Sequence, residues 1–335
     1  MIKSISYQDL NMTRMLLSVF LTSLSSVAIA QPAYPTRPVH LVVGFPAGGG
    51  ADVVARAVAA KMNEFLGQPV VIENRAGASG NIGADAVAKS PPDGYMVYLA
   101  TASNGISAGG VANGNLKLSY DIQKDLVPVV LLVRNQNVLV ANPSLPVANV
   151  RELIALARSK PGVLNFGSYG TGSSSHLAGE LFRQMAAVDI THIPYKGAAP
   201  LVTDLLGGQV ELGFVDVAVV LPHIRSGKLK PIAIGSTRRF DGLPNVPTFE
   251  ESGVTGYEAS GWLGLMVPAG TPAEAITRLR DAAQKALATP DLRERLTGLG
   301  VTPAAGTREE FAAFLRSEIA KWTQVLKVGG ITPGS

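Results

Sequence analysis

The chain has no cysteine among its 335 residues. Cysteine nucleophiles and Cys-ligated metal centres are therefore excluded, as is a lipid anchor on an amino-terminal cysteine, and the fold must be stabilised by its core rather than by disulfides. Histidine is scarce: His40, His176, His192 and His223 are scattered without an i, i+4 pair or a nearby carboxylate set, so no metal site is expected. Charged residues make up only 16% of the chain and the net charge is +4 at pH 7. No run of five or six basic residues occurs, which leaves nucleic-acid binding without support, whereas a mild positive excess suits a small anionic ligand. Nucleotide signatures are missing at the first glycine-rich corner, where Gly50 is followed by Ala51-Asp52 instead of Lys-Ser/Thr and the Gly-x-Gly-x-x-Gly spacing does not occur. There is no fixed-period repeat.

The first thirty residues stand apart. Lys3 and Arg14 precede the apolar run Met15 to Leu24, and Ala28-Ile29-Ala30 supplies small residues at the −3 and −1 positions of a signal-peptidase cut. The run is shorter than the roughly 20 apolar residues of a membrane span. Residues 1–30 are read as a secretory signal cleaved near Ala30, with translation starting at Met1 or Met12.

Beyond the leader, short β-rich runs alternate with helical segments, the mark of parallel α/β architecture. Val39 to Phe45 is a strand, Asp52 to Leu66 a helix, Val70 to Asn74 a second strand and Met96 to Ala100 a third. A second βα series follows Val129 to Val140, with helices at Val150 to Arg158 and Ser174 to Met185 and strands near 164–167, 190–194, 210–215 and 230–234. The tail from Pro272 to Val328 is helical and is expected to pack back on the first unit.

Three strand-to-helix corners share one chemistry: Pro46-Ala47-Gly48-Gly49-Gly50-Ala51-Asp52, Tyr169-Gly170-Thr171-Gly172-Ser173-Ser174-Ser175 and Tyr195-Lys196-Gly197-Ala198-Ala199-Pro200. Each lets a ligand approach the backbone, and each opens a helix whose free N–H groups favour negative charge. Parallel sheets gather such corners at the carboxyl ends of their strands, where ligands of open α/β folds bind. Asp52 reads as a helix N-cap or as a partner for a ligand cation. Asp216, at the end of a strand, either caps the next segment or reaches the cleft. Arg75 is a candidate for a ligand carboxylate, with a surface ion pair as the alternative. Ser173 to Ser175 beside His176 raise the competing possibility of an exported serine hydrolase, although no Gly-x-Ser-x-Gly elbow is expected and His176 is poorly placed to take a neighbouring serine's proton.

The ordered motifs YPTRPVHLVVGFPAGGGADVVAR (34 to 56), LGQPVVIENRAGASGNIGADAVAKSPPDGY (66 to 95), YGTGSSSHLAGELF (169 to 182), IPYKGAAPLVTDLLGGQVELGF (193 to 214) and GLPNVPTFEESGVTGYE (242 to 258) resemble the Bug family, the periplasmic receptors of tripartite tricarboxylate transporters. The resemblance implies an α/β, two-lobed type II periplasmic binding protein with a central hinge and an interdomain ligand cleft. Residues 31–134 and 255–335 would form the first lobe and 135–254 the second. It implies no enzymatic activity and no cofactor, a small carboxylate ligand (a di- or tricarboxylate, an acidic amino acid or an aromatic acid), a monomer, and the membrane subunits of a transporter or a sensor kinase as partner. By the same resemblance the ligand would be contacted by Phe45, Ala47, Gly48, Gly49, Gly50 and Asp52 in the first lobe. In the second lobe the contacts would be Tyr169, Thr171, Gly172, Ser173, Ser174 and His176, then Tyr195, Gly197 and Ala198, with Phe45, Tyr169, Tyr195 and Asp216 as candidates for setting specificity. Two departures are evident: position 51 is Ala where many relatives carry a hydroxyl residue, and residues 101–121 lack the His-Ala-Ile-Asn-Pro pattern common in a loop that borders the cleft.

Overall fold

The computed structural model describes residues 34–333; the expected signal sequence lies outside the described residues. The chain opens with β1 (Val39–Val43), whose Val39, Leu41, Val42 and Val43 are all buried, as a parallel strand covered on both faces requires. α1 (Gly50–Leu66) buries Val54, Ala55, Val58, Met62 and Leu66 along one stripe and ends on Gly67 in the left-handed conformation, φ 70°. β2 (Val70–Asn74), α2 (Asn81–Ala88), β3 (Met96–Thr101), α3 (Ala102–Ala112) and β4 (Leu126–Asn135) follow. The second series comprises β5 (Asn137–Ala141), α4 (Val150–Ser159), β6 (Asn165–Ser168), α5 (Ser174–Ala186), β7 (Thr191–Pro194), α6 (Ala198–Gly207), β8 (Leu212–Asp216), α7 (Val217–Arg225) and β9 (Lys230–Ile234). The chain then returns through β10 (Gly261–Pro268), α8 (Ala273–Ala288), α9 (Pro290–Gly298), β11 (Val301–Pro303) and α10 (Arg308–Gly329).

These strands form two sheets, ordered β11-β4-β10-β3-β1-β2 and β7-β6-β8-β5-β9. β1 is parallel to β2 and β3, and β6 to β7 and β8, while β10 and β5 are antiparallel to their neighbours. Residues 129–140, which precede the second βα series, divide between two strands: Gln136 alone separates β4 from β5, and the two belong to different sheets. The return path lies alongside. The Gly235 amide donates to Asn137 O at 2.7 Å, the Ala259 amide to Gly235 O at 2.8 Å, and Gly261 pairs with Asn135. Two adjacent crossings joined by backbone hydrogen bonds make a hinge between the lobes.

The tail does not stay with one lobe. Phe311, Leu315 and Ile319 of α10 join a core with Tyr98, Trp262 and Met266, whereas Trp322, Val325 and Leu326 join Phe166, Phe182 and Phe214 of the second sheet. α10 thus packs across both lobes and lies against α3. A Cβ added to Gly109 of α3 would come within 2.9 Å of Thr323 N, so only glycine permits that approach. No described helix is long and apolar enough to cross a membrane.

Candidate functional site

A cavity of about 370 Å³ separates the lobes. Phe45, Ser79, Ser103, Ile106 and Ser107 line it from the first lobe. Tyr169, Gly170, Thr171, Gly172, Ser173 and Ser174 line it from the second, with Pro333 of the tail closing one side. No acidic, basic or histidine side chain is among them; the polar groups are hydroxyls and the opening turns of two helices, α3 and α5. Those turns leave amides unpaired and carry positive partial charge, so the cavity offers an anion donors without a counter-charge.

The first-lobe wall is held from below by buried polar side chains. Asn81 Nδ2 donates to Ser107 Oγ at 3.0 Å, and Tyr120 Oη donates to Asn81 Oδ1 at 2.8 Å. Since Ser107 Oγ accepts from Asn81, its own hydrogen is free for the cleft. Asn104 Oδ1 accepts the Thr101 amide at 2.9 Å and lies 3.0 Å from the Tyr98 hydroxyl, which fixes the start of α3. Ser79 adopts φ 57°, ψ 32°, a conformation that costs an L-residue roughly 1–2 kcal/mol and that clusters at functional sites. Gly105-Ile106-Ser107-Ala108-Gly109 has the Gly-x-Ser-x-Gly pattern, but Ser107 lies inside α3 and not on a strand-to-helix turn, so it is no nucleophile elbow.

The second-lobe wall is a tight loop. Gly170 and Gly172 have φ of 129° and 74°, Ser173 Oγ donates to Gly170 O at 2.7 Å, and the same hydroxyl caps α5 by accepting the His176 amide at 3.2 Å. Tyr169 presents its ring to the cavity while its hydroxyl accepts the Asp216 amide at 2.7 Å. Behind the loop, His176 Nδ1 accepts the Gly172 amide at 3.0 Å and His192 stacks on His176 with ring centroids 3.7 Å apart. Burial, then the neighbouring His176 and Arg183, hold His192 down at about 4 against the pull of Glu180. For Glu180 burial acts upward, but hydrogen bonds from His176 and Arg183 outweigh it and keep the carboxyl below its ordinary value.

Several expected ligand contacts sit elsewhere. Ala47, Gly48, Gly49 and Gly50 are exposed and do not line the cavity. Asp52 is neither the N-cap, which is Gly49, nor a cleft group. Its buried carboxylate takes the Gly48 amide at 2.8 Å, Arg56 Nε at 2.9 Å and Asn74 Nδ2 at 2.9 Å, and the Arg56 bond foremost holds it down at about 2. The carboxylate thus ties the Gly48 turn to Arg56 and Asn74, without a cap bond to the first turn of α1. His176 is 4% exposed and lies under the loop, not in the cavity. Tyr195 turns its hydroxyl to Asp204 at 2.9 Å, and Gly197 and Ala198 at the start of α6 stand outside the cavity with it. Asp216 is half-buried behind Tyr169, with burial pushing its carboxyl up to about 6. It stands at the N-cap position of α7 but makes no side-chain capping bond. Arg75 pairs with Glu73 at 2.9 Å. Ser79 and Pro333 were not anticipated; Gly170 belongs to a corner expected to hold the ligand, and Ser103, Ile106 and Ser107 fall within residues 101–121, where the resemblance put a loop bordering the cleft and the structure has α3.

A larger cavity, about 500 Å³, lies behind the hinge between Arg134, Gln136, Ser236, Arg238 and Phe314. It is not at the carboxyl ends of the parallel strands, and Arg134 is already engaged with Glu258 at 2.6 Å, so the smaller cavity is the better candidate.

Residues 54–331 match the family described as Tripartite tricarboxylate transporter family receptor. The chain belongs to this family, the Bug receptors. Protein BugT of Bordetella pertussis is 39% identical over 325 residues, 96% of this chain and 99% of BugT. The structure of R. palustris Rpa4515 with adipate shares 39% identity at a TM-score of 0.74, covering 90% of this chain and 99% of that one. MatC (Rpa3494) from Rhodopseudomonas palustris with bound malate shares 34% identity at 0.71, covering 88% and 100%. The two lobes are accordingly those of a periplasmic binding protein of this type, and a Bug receptor is a solute-binding protein, not an enzyme. The local geometry agrees: the Ser173 hydroxyl is spent on Gly170 O, and the Ser–His contact that does form, Ser168 to His192 at 2.6 Å, involves a serine with no exposure.

Proposed function

We propose that this receptor captures a small organic carboxylate between its lobes, using the hydroxyls of Ser103, Ser107 and Ser174 and the first turns of α3 and α5 as donors. The observation that carries the reading is that two helix starts, one from each lobe, line a single cavity that contains no charged side chain. An anion held by such dipoles gains from both helices and needs no buried cation. The receptor's relatives solved with adipate and with malate support a flexible or hydroxylated aliphatic diacid as the first class to try. Phe45, Ile106 and Tyr169 would cover the carbon chain and set its length. Closure about the Gln136 crossing would exclude water and strengthen the hydrogen bonds. In the cell the chain would be exported, cleaved near Ala30, and would present its ligand as a monomer to the membrane subunits of a tripartite tricarboxylate transporter or to a sensor kinase.

Calorimetric and thermal-shift titration of the mature protein, refolded to remove carried-over solute, tests this with adipate, malate, citrate, glutamate and benzoate, and with glucose and spermidine as controls. A ligand at 100 times its Kd stabilises the folded state by about 2.7 kcal/mol. Binding confined to carboxylates is the expected result. Binding of the sugar or the amine, or of none of the acids, overturns the reading.

A further inference from the structure

We propose that His176 and His192 are positioning residues that hold the ligand-facing loop Gly170–Ser173 in its cleft geometry, and that a proton on His176 Nδ1 releases Gly172. The inference rests on the cavity being the ligand site. A ring nitrogen accepts an amide hydrogen only when it carries none itself, so the 3.0 Å contact from Gly172 N places the hydrogen of His176 on Nε2, which faces Glu180 Oε1 at 3.7 Å. His192 lies on this ring at 3.7 Å with the planes 15° apart. Its Nε2 is 2.6 Å from Ser168 Oγ, which accepts the Gly170 amide at 3.1 Å and donates to Gly170 O at 3.2 Å. Gly172 is thus fixed by an amide bond that ends on a histidine, and Gly170 by bonds to Ser168, whose hydroxyl rests against His192.

The charged groups around the stack are few. On α5 these are Glu180 and Arg183; Arg183 binds both Glu180 oxygens at 2.9 Å and reaches Asp189, just before β7, at 3.9 Å. From β6 come Phe166 and Ser168, neither charged, and from α10 the uncharged Gly329 approaches Glu180. At His192, burial, the His176 ring and Arg183 oppose a proton, while Glu180 favours it. Placed on His176 Nδ1, a proton turns the acceptor of the Gly172 amide into a donor aimed at it, and Gly172 loses that tie while the bonds of Gly170 remain.

The test is carried out on the mature protein between about pH 5 and 8, combining imidazole ¹⁵N spectra, exchange of the Gly172 amide corrected for intrinsic rate, and titrations with adipate and malate. At the upper end His176 is expected as the Nε2–H tautomer with Gly172 protected. Towards the lower end protection falls and the bound acid weakens by about tenfold, the worth of one hydrogen bond. His176→Asn keeps an acceptor near the Nδ1 position and cannot titrate, so its Gly172 protection stays level across the range; His176→Leu leaves Gly172 unprotected throughout. An Nδ1–H tautomer, or wild-type Gly172 protection that does not change over the range, overturns the proposal without any variant having to fold. Gly172 protection that falls with pH in a protein that binds no carboxylate upholds the loop positioning and overturns the receptor reading instead.

Discussion

Tyr169 Oη accepts the amide hydrogen of Asp216 at 2.7 Å, tying a cavity-lining ring to the end of β8. The next residue, Val217, bonds through its amide to Gln136 O at 2.8 Å, so the tyrosine, Asp216 and the lobe crossing form one connected corner.

That corner predicts a pH dependence. Burial raises the Asp216 carboxyl to about 6, and the Tyr169 hydroxyl acts the other way. The folded state therefore binds this proton more tightly than the unfolded chain, where the group returns to about 3.9. Its contribution is fully present below about pH 4 and is lost as pH rises through about 6. Asp216→Asn removes the loss, and its unfolding free energy at pH 7 should exceed that of the wild type by on the order of 1–3 kcal/mol. His192 acts oppositely: held down at about 4 chiefly by burial, it contributes stability above about pH 6.5 that disappears as pH falls towards 4. Denaturant unfolding of Asp216→Asn and His192→Gln at pH 4, 5.5 and 7 should tilt the stability profile in opposite directions; identical slopes in all three proteins would count against both assignments.

The two walls of the first lobe make a second prediction. Ser107→Ala removes a cleft hydroxyl and should weaken carboxylate binding by about 1–2 kcal/mol, with a stability loss of about 1 kcal/mol because Asn81 Nδ2 keeps only Ala78 O as a partner. Asp52→Ala removes the acceptor of the Gly48 amide and of Arg56 Nε, so about 1–2 kcal/mol of stability should go while affinity stays within about threefold. Calorimetry beside thermal melts separates the cases. If Asp52→Ala abolishes binding and Ser107→Ala does not, the α1 corner and not α3 is the wall that holds the ligand.

Much of this architecture was legible because periodicity and punctuation agreed. β2 and β9 fall on the expected residues, and α1 and α5 within two of them, since each is an apolar run bounded by Gly, Pro or Ser. The change of sheet at Gln136 carries no glycine or proline; it falls in the polar stretch Arg134-Asn135-Gln136-Asn137, beside the lobe boundary that the resemblance implied. The site was half legible. Gly170-Thr171-Gly172-Ser173 announces a loop with positive φ and a cap, whereas the glycines of Ala102–Ala112 argue against a helix locally and are explained only by what packs on them. The histidine stack joins residues 16 apart in sequence through β7, which no local spacing reveals.

Gly109 makes the last prediction. In an isolated helix Gly→Ala gains about 1 kcal/mol, but at Gly109 the added Cβ would lie 2.9 Å from Thr323 N and 3.1 Å from Trp322 C, backbone atoms of α10 that cannot rotate away. Gly109→Ala should therefore destabilise the protein by about 1–3 kcal/mol as an overpacked contact. Ser103 and Ser107 ride on the same helix, so a shift of α3 away from α10 should also cost affinity for the carboxylate. Gly298, in the last turn of α9 with open space around it, is the control: Gly298→Ala should be neutral or stabilising by up to about 1 kcal/mol. Equal melting temperatures for the two variants would mean that α10 yields freely against α3. The tail would then be no fixed strut across the lobes, and the first wall of the cavity would have to be held by the Asn81 and Asn104 contacts alone.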